Sequence, residues 1–217
     1  IVATVLGVVV MAMLAYPLSR PNYKYKKIAT FFIFFTMLFS GGLVPTYIWI
    51  TRYLHLGDTI WVYILPCLVN AFHVIVIRSF FQGLPQALME SAKIDGASEL
   101  QTFFKIVMPL SKPVIATISL LTLLSRWNDW NTALIYIKSS NLYSLQYLLQ
   151  KILREAEFVK NMAESSPVAG VDLDLSNLPS VTIRFAMCMV AAGPMLIIFP
   201  FFQKYFDEGI MVGSVKG

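Results

Sequence analysis

Long apolar stretches, separated by short polar segments, run along almost the whole chain. A helix that crosses a hydrocarbon core about 30 Å thick needs about 20 apolar residues, and about five stretches come close to that length. They are Ile1 to Leu18, Ala29 to Ile50, Thr59 to Phe80, Ser111 to Arg126 and Val181 to Phe202, the fourth with an optional continuation through residues 127–136. In the second stretch Gly41, Gly42 and Pro45 permit either close packing against a neighbouring helix, which we favour, or a bend. The pattern predicts an all-α, polytopic transmembrane bundle that forms a single domain over residues 1–217.

A polar segment between the third and fourth stretches, residues 84–109, has the pattern of two helices joined by a tight bend. Pro85 suits a first helical turn and Gly96 suits the left-handed residue that closes a helix, so a helix of about three turns is predicted between them. Ser98 and Gln101 form a capping-box pattern that starts a second helix, which Pro109 is expected to end. The second helix is expected to place four apolar residues on one face: Leu100, Phe103, Phe104 and Val107. We call residues 84–109 the elbow.

Composition agrees with a membrane location. Of the 217 residues, 57% are hydrophobic and 13% are charged, whereas soluble domains contain roughly 25% charged residues. The net charge is +5, but the basic residues are scattered singly around the apolar stretches, so no nucleic-acid partner is expected. Cys67 and Cys188 lie far apart inside apolar stretches, and we expect both to be free core thiols.

Basic residues orient the predicted spans. The loop after the first stretch is rich in lysine and arginine and has no acidic residue, which is typical of a cytoplasmic loop. Its basic residues are Arg20, Lys24, Lys26 and Lys27. Alternation then places residues 51–58 and 138–180 outside, and the elbow and the tail at residues 203–217 inside. Because an odd number of spans leaves Ile1 outside, we expect residues upstream that contain one more span, giving about six in the full chain.

The external segment at residues 138–180 divides into two parts. Residues 142–160 have helical periodicity, with apolar residues at Leu145, Leu148, Leu149 and Ile152, and predict a helix along the membrane surface. Residues 164–179 contain Pro167, Gly170 and Pro179 and predict an irregular loop, which could reach a soluble partner or serve only as a tether.

Several kinds of chemistry have no support in the sequence. The Gly-x-x-x-x-Gly-Lys-Ser/Thr phosphate loop does not occur, so ATP binding of that type is not expected in this chain. His55 and His73 stand alone, without metal-ligand spacing or a Ser/His/Asp arrangement, which argues against an intramembrane enzyme. The predicted spans contain essentially no Asp or Glu, which argues against an ion-coupled secondary transporter. We expect no catalytic residue, no metal site and no cofactor held by this chain.

A polar and aromatic cluster follows Arg126 at the end of the fourth stretch: Trp127, Asn128, Asp129, Trp130 and Asn131. Aromatic rings beside amide and carboxylate groups suit sugar binding, so these five residues are candidate substrate or pore residues. Tryptophans also form the ordinary belt at a membrane interface, and we favour that interpretation.

The elbow resembles the EAA motif of ABC importer permeases, in which Glu-Ala-Ala-x-x-x-Gly is followed by Ile-x-Leu-Pro. The matching residues are Glu90, Ala92, Gly96, Ile106 and Pro109, while Ser91 and Met108 replace an alanine and the leucine. Further similar segments are Ala15-Tyr16, Leu18-Ser19-Arg20, Gly41 to Tyr47, Trp127-Asn128, Gln203 to Phe206 and Gly213 to Gly217. The chain resembles the MalG-type permease subunit of carbohydrate ABC importers, most of all the branch for complex-polysaccharide oligosaccharides.

This resemblance implies a function and a set of partners. The elbow would be the coupling helix that docks on a separate cytoplasmic ATPase subunit, through Glu90, Ser91, Ala92, Asp95, Gly96 and Ala97. The implied partners are a MalF-like second permease subunit, two cytoplasmic ATPase subunits that bind ATP and Mg, an extracytoplasmic solute-binding protein, membrane lipid and an oligosaccharide. The implied location is the bacterial cytoplasmic (inner) membrane, crossed several times.

The resemblance leaves the substrate open among alginate, pectin-derived and other oligosaccharides, and subunits of this type need not touch the sugar. Residues 164–179 would correspond to the external loop that reaches the sugar site of the binding protein. Two transport alternatives remain, an ion-coupled secondary transporter and the permease of an ABC importer for a non-sugar solute.

Overall fold

The structure is a computed structural model that describes residues 1–165 and 180–214. Within those residues every regular element is helical, which confirms the predicted all-α class. The α-helices are α1 Val2–Ser19, α2 Lys26–Leu38, α3 Leu43–Ile48, α4 Ala71–Gln82, α5 Gln86–Ile94, α6 Glu99–Thr102, α7 Met108–Leu110, α8 Lys112–Trp127, α9 Asn131–Tyr136, α10 Leu145–Ser165 and α11 Ser180–Ser214. Short 3-10 helices occur at Ile60–Tyr63, Leu65–Cys67 and Ser140–Leu142, and π-helices at Trp49–Tyr53 and Phe103–Val107.

Only some of the predicted spans are continuous helices. Among the described residues, two helices are long and apolar enough to cross a membrane, namely α1 and the part of α11 at Phe185–Gln203. Three further pairs of helices pass the same test together but are bent, by 112° between α2 and Leu43–Tyr53, by 45° between Ile60–Cys67 and α4, and by 81° between Glu99–Leu110 and α8. The predicted number of about five spans is reached if each bent pair counts as one.

Two of the predicted stretches are divided between separate helices in the structure. The stretch from Ala29 to Ile50 is not one helix, because α2 ends at Leu38 and the chain turns before α3 at Gly42, whose φ is +84°. Such a backbone conformation suits glycine and interrupts a helix, whereas hydropathy does not register it. The fourth stretch does not continue through residues 127–136, because α8 ends at Trp127 and α9 starts separately at Asn131.

The core forms around α1, which packs against α4 and α8. Its residues Ala12 and Ala15 are 0% exposed, and Val74 and Ile77 of α4 are also 0% exposed. Small side chains let helices approach closely. A Cβ at Gly7 would lie 3.2 Å from the carbonyl oxygen of Leu68, so this glycine is needed for the same close approach.

A second, smaller apolar cluster of Ile50, Val62 and Ile137 lies at the end of the bundle away from the elbow. Beside it Asp58, whose φ is +54°, holds the two loops that meet there. Its carboxylate accepts hydrogen bonds from the backbone N–H groups of Lys138 and Ser139, both at 2.9 Å, and from the Ser139 hydroxyl at 2.6 Å. These hydrogen bonds, that of the Ser139 hydroxyl first, hold the pKa of Asp58 below its ordinary value.

The predicted helix at residues 142–160 is confirmed, with bounds of Leu145–Ser165 for α10. Its orientation along a membrane surface stays a prediction, as does the inside and outside assignment of the loops. Most of the predicted irregular loop at residues 164–179 lies outside the described residues. The predicted tail continues the helix of α11 as far as Ser214.

Candidate functional site

The first arm of the elbow is a helix that begins after a proline and closes at a glycine, as predicted. Helix α5 follows Pro85, which occupies the N-cap position, and the chain bends at Gly96 with φ of +77°. The N–H of Gly96 donates to the carbonyl oxygen of Lys93 at 3.1 Å, and the N–H of Ala97 donates to that of Ala92 at 2.9 Å. This pair of hydrogen bonds is the Schellman motif, which satisfies the last carbonyls of a helix and requires a left-handed residue.

The second arm starts as predicted but is irregular. The Gln101 N–H donates to Ser98 Oγ at 3.2 Å, and the Ser98 N–H donates to Gln101 Oε1 at 2.9 Å, so the capping box is confirmed. The arm then passes from α6 through the π-helix Phe103–Val107 to α7 and ends at Leu110, so Pro109 does not end it as predicted. Pro109 is tolerated because it stands in the first turn of α7, where a missing N–H costs little.

The predicted apolar face of this second arm was also wrong in part. Phe103 and Val107 are buried, but Leu100 is 62% exposed and Phe104 is 52% exposed, while Thr102 is 1% exposed. A π-helix inserts an extra residue per turn and so rotates the buried face relative to regular α-helical spacing.

The inner face of the elbow is attached to the end of α1. Met89 and Ala92 of α5 are each 6% exposed, and the rings of Phe103 and Tyr16 have centroids 5.2 Å apart. The Tyr16 hydroxyl donates a hydrogen bond to Glu99 Oε2 at 2.7 Å.

Two cations complete this attachment. Lys93 Nζ lies 2.7 Å from Glu99 Oε1. The Arg20 guanidinium lies over the Tyr16 ring, 4.2 Å from its centroid, and donates from Nη1 to Met89 Sδ. A groove of about 440 Å³ lies beside these groups, with Tyr16, Arg20 and Glu90 in its lining.

The opposite face of the elbow is open. Of the six residues predicted to contact an ATPase, Glu90, Ser91, Asp95 and Gly96 are exposed, Ala97 is half-buried and Ala92 is buried. Next to them Ile94, at the end of α5, is 86% exposed and Leu88 is 45% exposed. Ile94 therefore stands almost fully exposed beside the carboxylates of Glu90 and Asp95.

The five residues of the Trp127 to Asn131 cluster lie where α8 ends and α9 begins. The Trp127 indole N–H donates to the carbonyl oxygen of Ala191 in α11 at 2.7 Å, and the Asn128 amide donates to the carbonyl oxygen of Leu124 at 3.0 Å. Asn131 is exposed.

Asp129 and Trp130 are also engaged within the chain. Asp129 accepts from the N–H of Thr132 at 3.0 Å and from its hydroxyl at 2.7 Å, and lies 3.7 Å from Arg126. The Arg154 guanidinium lies 5.2 Å from the Trp130 ring centroid. These contacts give four of the five residues a structural role, and sugar contact by this cluster stays a prediction.

Sequence reasoning placed Phe103 on an apolar face, but it missed the contact of Phe103 with Tyr16 and the bridging position of Glu99. Tyr16 and Glu99 are 83 residues apart, so no local spacing pairs them. One available signal was a tyrosine beside a basic residue at the end of an apolar helix, where its ring and hydroxyl suit an interface.

The chain is similar to known transport proteins over almost its whole length. Residues 4–212 match the family described as binding-protein-dependent transport system inner membrane component. The chain is 40% identical over 223 residues to the polygalacturonan/rhamnogalacturonan transport system permease protein YtcP of Bacillus subtilis (strain 168), with 100% of this chain and 73% of that protein covered. It is 33% identical to the arabinooligosaccharides transport system permease protein AraQ of the same organism, with 99% of this chain and 69% of that protein covered.

A solved structure has the same fold. It is described as a bacterial ABC transporter involved in the import of the acidic polysaccharide alginate, and the superposition has a TM-score of 0.73 at 30% identity, covering 94% of this chain and 71% of that chain. This similarity confirms the predicted importer-permease fold. The family match spans both the elbow and the helices to which it is attached. The chain therefore belongs to the family of binding-protein-dependent transport system inner membrane components.

Proposed function

We propose that this chain is the transmembrane permease subunit of an ATP-driven oligosaccharide importer. It forms half of the translocation pore, beside a second, MalF-like permease subunit, and crosses the inner membrane several times. Its elbow docks on a cytoplasmic ATPase subunit and converts closure of the ATPase pair into movement of the spans. ATP and Mg are bound by the two ATPase subunits, and an extracytoplasmic binding protein delivers the sugar.

The observation that carries this proposal is the two-sided character of the elbow. On one face Met89 is buried in the core cluster that contains α1 and α4 residues, while the other face presents Ile94 at 86% exposure beside Glu90 and Asp95. A cytoplasmic helix that is fixed on one side and exposes an apolar anchor on the other is suited to fill a cleft of a partner protein. Glu90 is placed to pair with a basic group or a backbone N–H of that cleft.

The spans leave apolar surface for lipid and for the second permease. The span within α11, Phe185–Gln203, has no buried residue, and α2 also has none. Phe31 and Phe32 of α2 are 64% and 62% exposed. Because a membrane helix can expose such side chains only to lipid or to another helix, these surfaces fit a heterodimeric pore in a bilayer.

The substrate proposal rests on the relatives. YtcP and AraQ are named for polygalacturonan or rhamnogalacturonan and for arabinooligosaccharides, and the solved structure is described by alginate import. We therefore place an oligosaccharide ahead of a non-sugar solute. Purified alginate-derived, pectin-derived and arabinan-derived oligosaccharides are tested one at a time for stimulation of ATP hydrolysis, with the cognate binding protein present. Stimulation by an amino acid or peptide, and by none of the sugars, would contradict this assignment.

The coupling role is tested by changing the exposed anchor. In the full-length chain assembled with its partners in proteoliposomes, Ile94→Asp is expected to lower sugar uptake at least about tenfold, since a central apolar anchor contributes on the order of 2 kcal/mol to an interface. Leu54→Asp is the matched control, because Leu54 is 46% exposed on the loop at the far end of the bundle. It is expected to leave uptake nearly normal. Equal uptake by the two variants would refute docking through Ile94.

A further inference from the structure

Glu99 joins two elements that are far apart in the sequence. Its Oε2 accepts the hydrogen bond of the Tyr16 hydroxyl in α1 at 2.7 Å, and its Oε1 lies 2.7 Å from Lys93 Nζ near the end of α5. Both carboxylate oxygens are therefore used, one toward the first span and one toward the first arm of the elbow. The capping box at Ser98 fixes the backbone immediately before Glu99, so the carboxylate is held at the bend.

The hydrogen bond gives this attachment a direction. Met89 is buried in the core cluster beside Tyr16 and Phe103, and apolar contacts of this kind resist separation but are not directional. A hydrogen bond weakens steeply when its geometry changes, and one to a carboxylate is stronger than a neutral one. The Tyr16 ring also contacts the Phe103 ring, with centroids 5.2 Å apart, and the Arg20 guanidinium, which lies 4.2 Å from the Tyr16 centroid. The Tyr16 to Glu99 bond therefore fixes the position of the elbow along α1.

The end of α1 is connected in turn to the rest of the core. Arg78 Nε of α4 donates to the carbonyl oxygen of Leu18 at 3.2 Å. Above this point α1 packs through Met11 and Ala15, which are 1% and 0% exposed, against α4 and α8. Close-packed interiors transmit displacement instead of absorbing it. A shift of the end of α1 would carry α4 and α8 with it.

We propose that Tyr16, Glu99 and Lys93 are positioning residues for coupling, which transmit movement of the elbow to α1 and through α1 to the core. This inference rests on the proposed function and names the residues that transmit the movement of the elbow. The Lys93 and Glu99 side chains are 59% and 56% exposed, so their contribution to folding stability is small. Loss of the link is therefore expected to impair transport while the chain still inserts and folds.

The test uses Tyr16→Phe, which removes one oxygen and keeps the ring against Phe103. Ser19→Ala is the matched control, because the Ser19 hydroxyl donates to the Tyr16 carbonyl oxygen at 2.6 Å, a hydrogen bond that lies within α1. The full-length chain is assembled with its partners in proteoliposomes. Two quantities are measured, the sugar taken up per ATP hydrolysed and the photo-cross-link to the ATPase from benzoylphenylalanine incorporated at position 94.

For Tyr16→Phe we expect about fivefold less sugar taken up per ATP hydrolysed and an unchanged cross-link. A factor of about five is at the lower end of typical couplings between two sites in a protein. Ser19→Ala should stay within about twofold of the wild type for the same ratio, since it leaves the link intact. Glu99→Ala should lower the ratio as well, and adding Tyr16→Phe to it should lower it no further, because both changes remove one link.

An unchanged ratio in Tyr16→Phe would overturn the proposal. Loss of the cross-link in that variant would overturn it too, because Tyr16 would then be needed for docking and not for transmission. Failure of the proposed function itself gives a different result, in which the otherwise wild-type chain forms no cross-link from position 94.

Discussion

Replacing Gly96 by alanine perturbs the backbone at the bend of the elbow without a steric clash. Gly96 has φ of +77°, and a Cβ built there meets no heavy atom within 4 Å. The cost therefore comes from the backbone, at about 1–2 kcal/mol for an L residue in the left-handed region. The chain can relieve that strain by opening the hydrogen bonds from Gly96 to Lys93 and from Ala97 to Ala92.

The size of the effect follows from that cost. About 1.4 kcal/mol corresponds to a tenfold change in an equilibrium constant. The ratio of the closed bend to open forms should therefore fall about tenfold in Gly96→Ala. We expect sugar uptake and sugar-stimulated ATP hydrolysis of the reconstituted transporter to fall by about three- to tenfold, with normal membrane insertion. Gly96→Asn should lose less, since asparagine visits the left-handed region more readily.

A matched control separates coupling from general strain. Gly42 has φ of +84° and also has nothing within 4 Å of a built Cβ, so Gly42→Ala carries a similar backbone cost at the bend between α2 and α3. Thermal unfolding of both variants should show similar losses of stability, but uptake should fall much further in Gly96→Ala. Wild-type uptake by Gly96→Ala, or equal losses of uptake in the two variants, would refute the reasoning.

Two further predictions concern other parts of the chain. Because the hydrogen bonds to Asp58 hold its folded pKa below the unfolded value, their stabilisation is present above the unfolded pKa and is lost as the pH falls through the folded pKa. Proteolysis of the loops that meet at Asp58 should therefore rise below about pH 4 in the wild type. The Asp58→Asn variant should be cleaved readily at neutral pH as well. Proteolysis of the wild type that does not depend on pH would argue against this role of the Asp58 hydrogen bonds. Trp127→Phe removes the 2.7 Å hydrogen bond to Ala191 and should cost about 1 kcal/mol of stability. The KM for sugar should change less than about twofold, and a large rise in KM would instead assign Trp127 to sugar binding.

The starts and caps of the elbow helices were predictable because they depend on local sequence. Pro85, Gly96 and the Ser98 to Gln101 capping box each act over a few residues, so the sequence carries their geometry directly. The apolar length of the spans was predictable for the same reason.

The attachment of the elbow depends on partners distant in the sequence. The 112° bend after α2 lies at Gly42, where the glycine pair permits it locally. By contrast, the π-helix at Phe103–Val107 leaves the apolar pattern almost unchanged, so 3.6-residue periodicity misses it. The predicted burial of Leu100 and Phe104 failed for this reason. Tyr16 and Glu99 meet only because α1 packs beside the elbow, which the packing of the whole bundle determines.

The photo-cross-link from position 94 tests the central claim most directly. It is measured in the assembled transporter, on the otherwise wild-type full-length chain with benzoylphenylalanine in place of Ile94, whose side chain is 86% exposed at the end of α5. The account predicts an adduct with the ATPase subunit that disappears when Gly96→Pro destroys the bend. An adduct with lipid alone, or an ATPase adduct that survives Gly96→Pro with normal sugar uptake, would contradict the coupling role of the elbow.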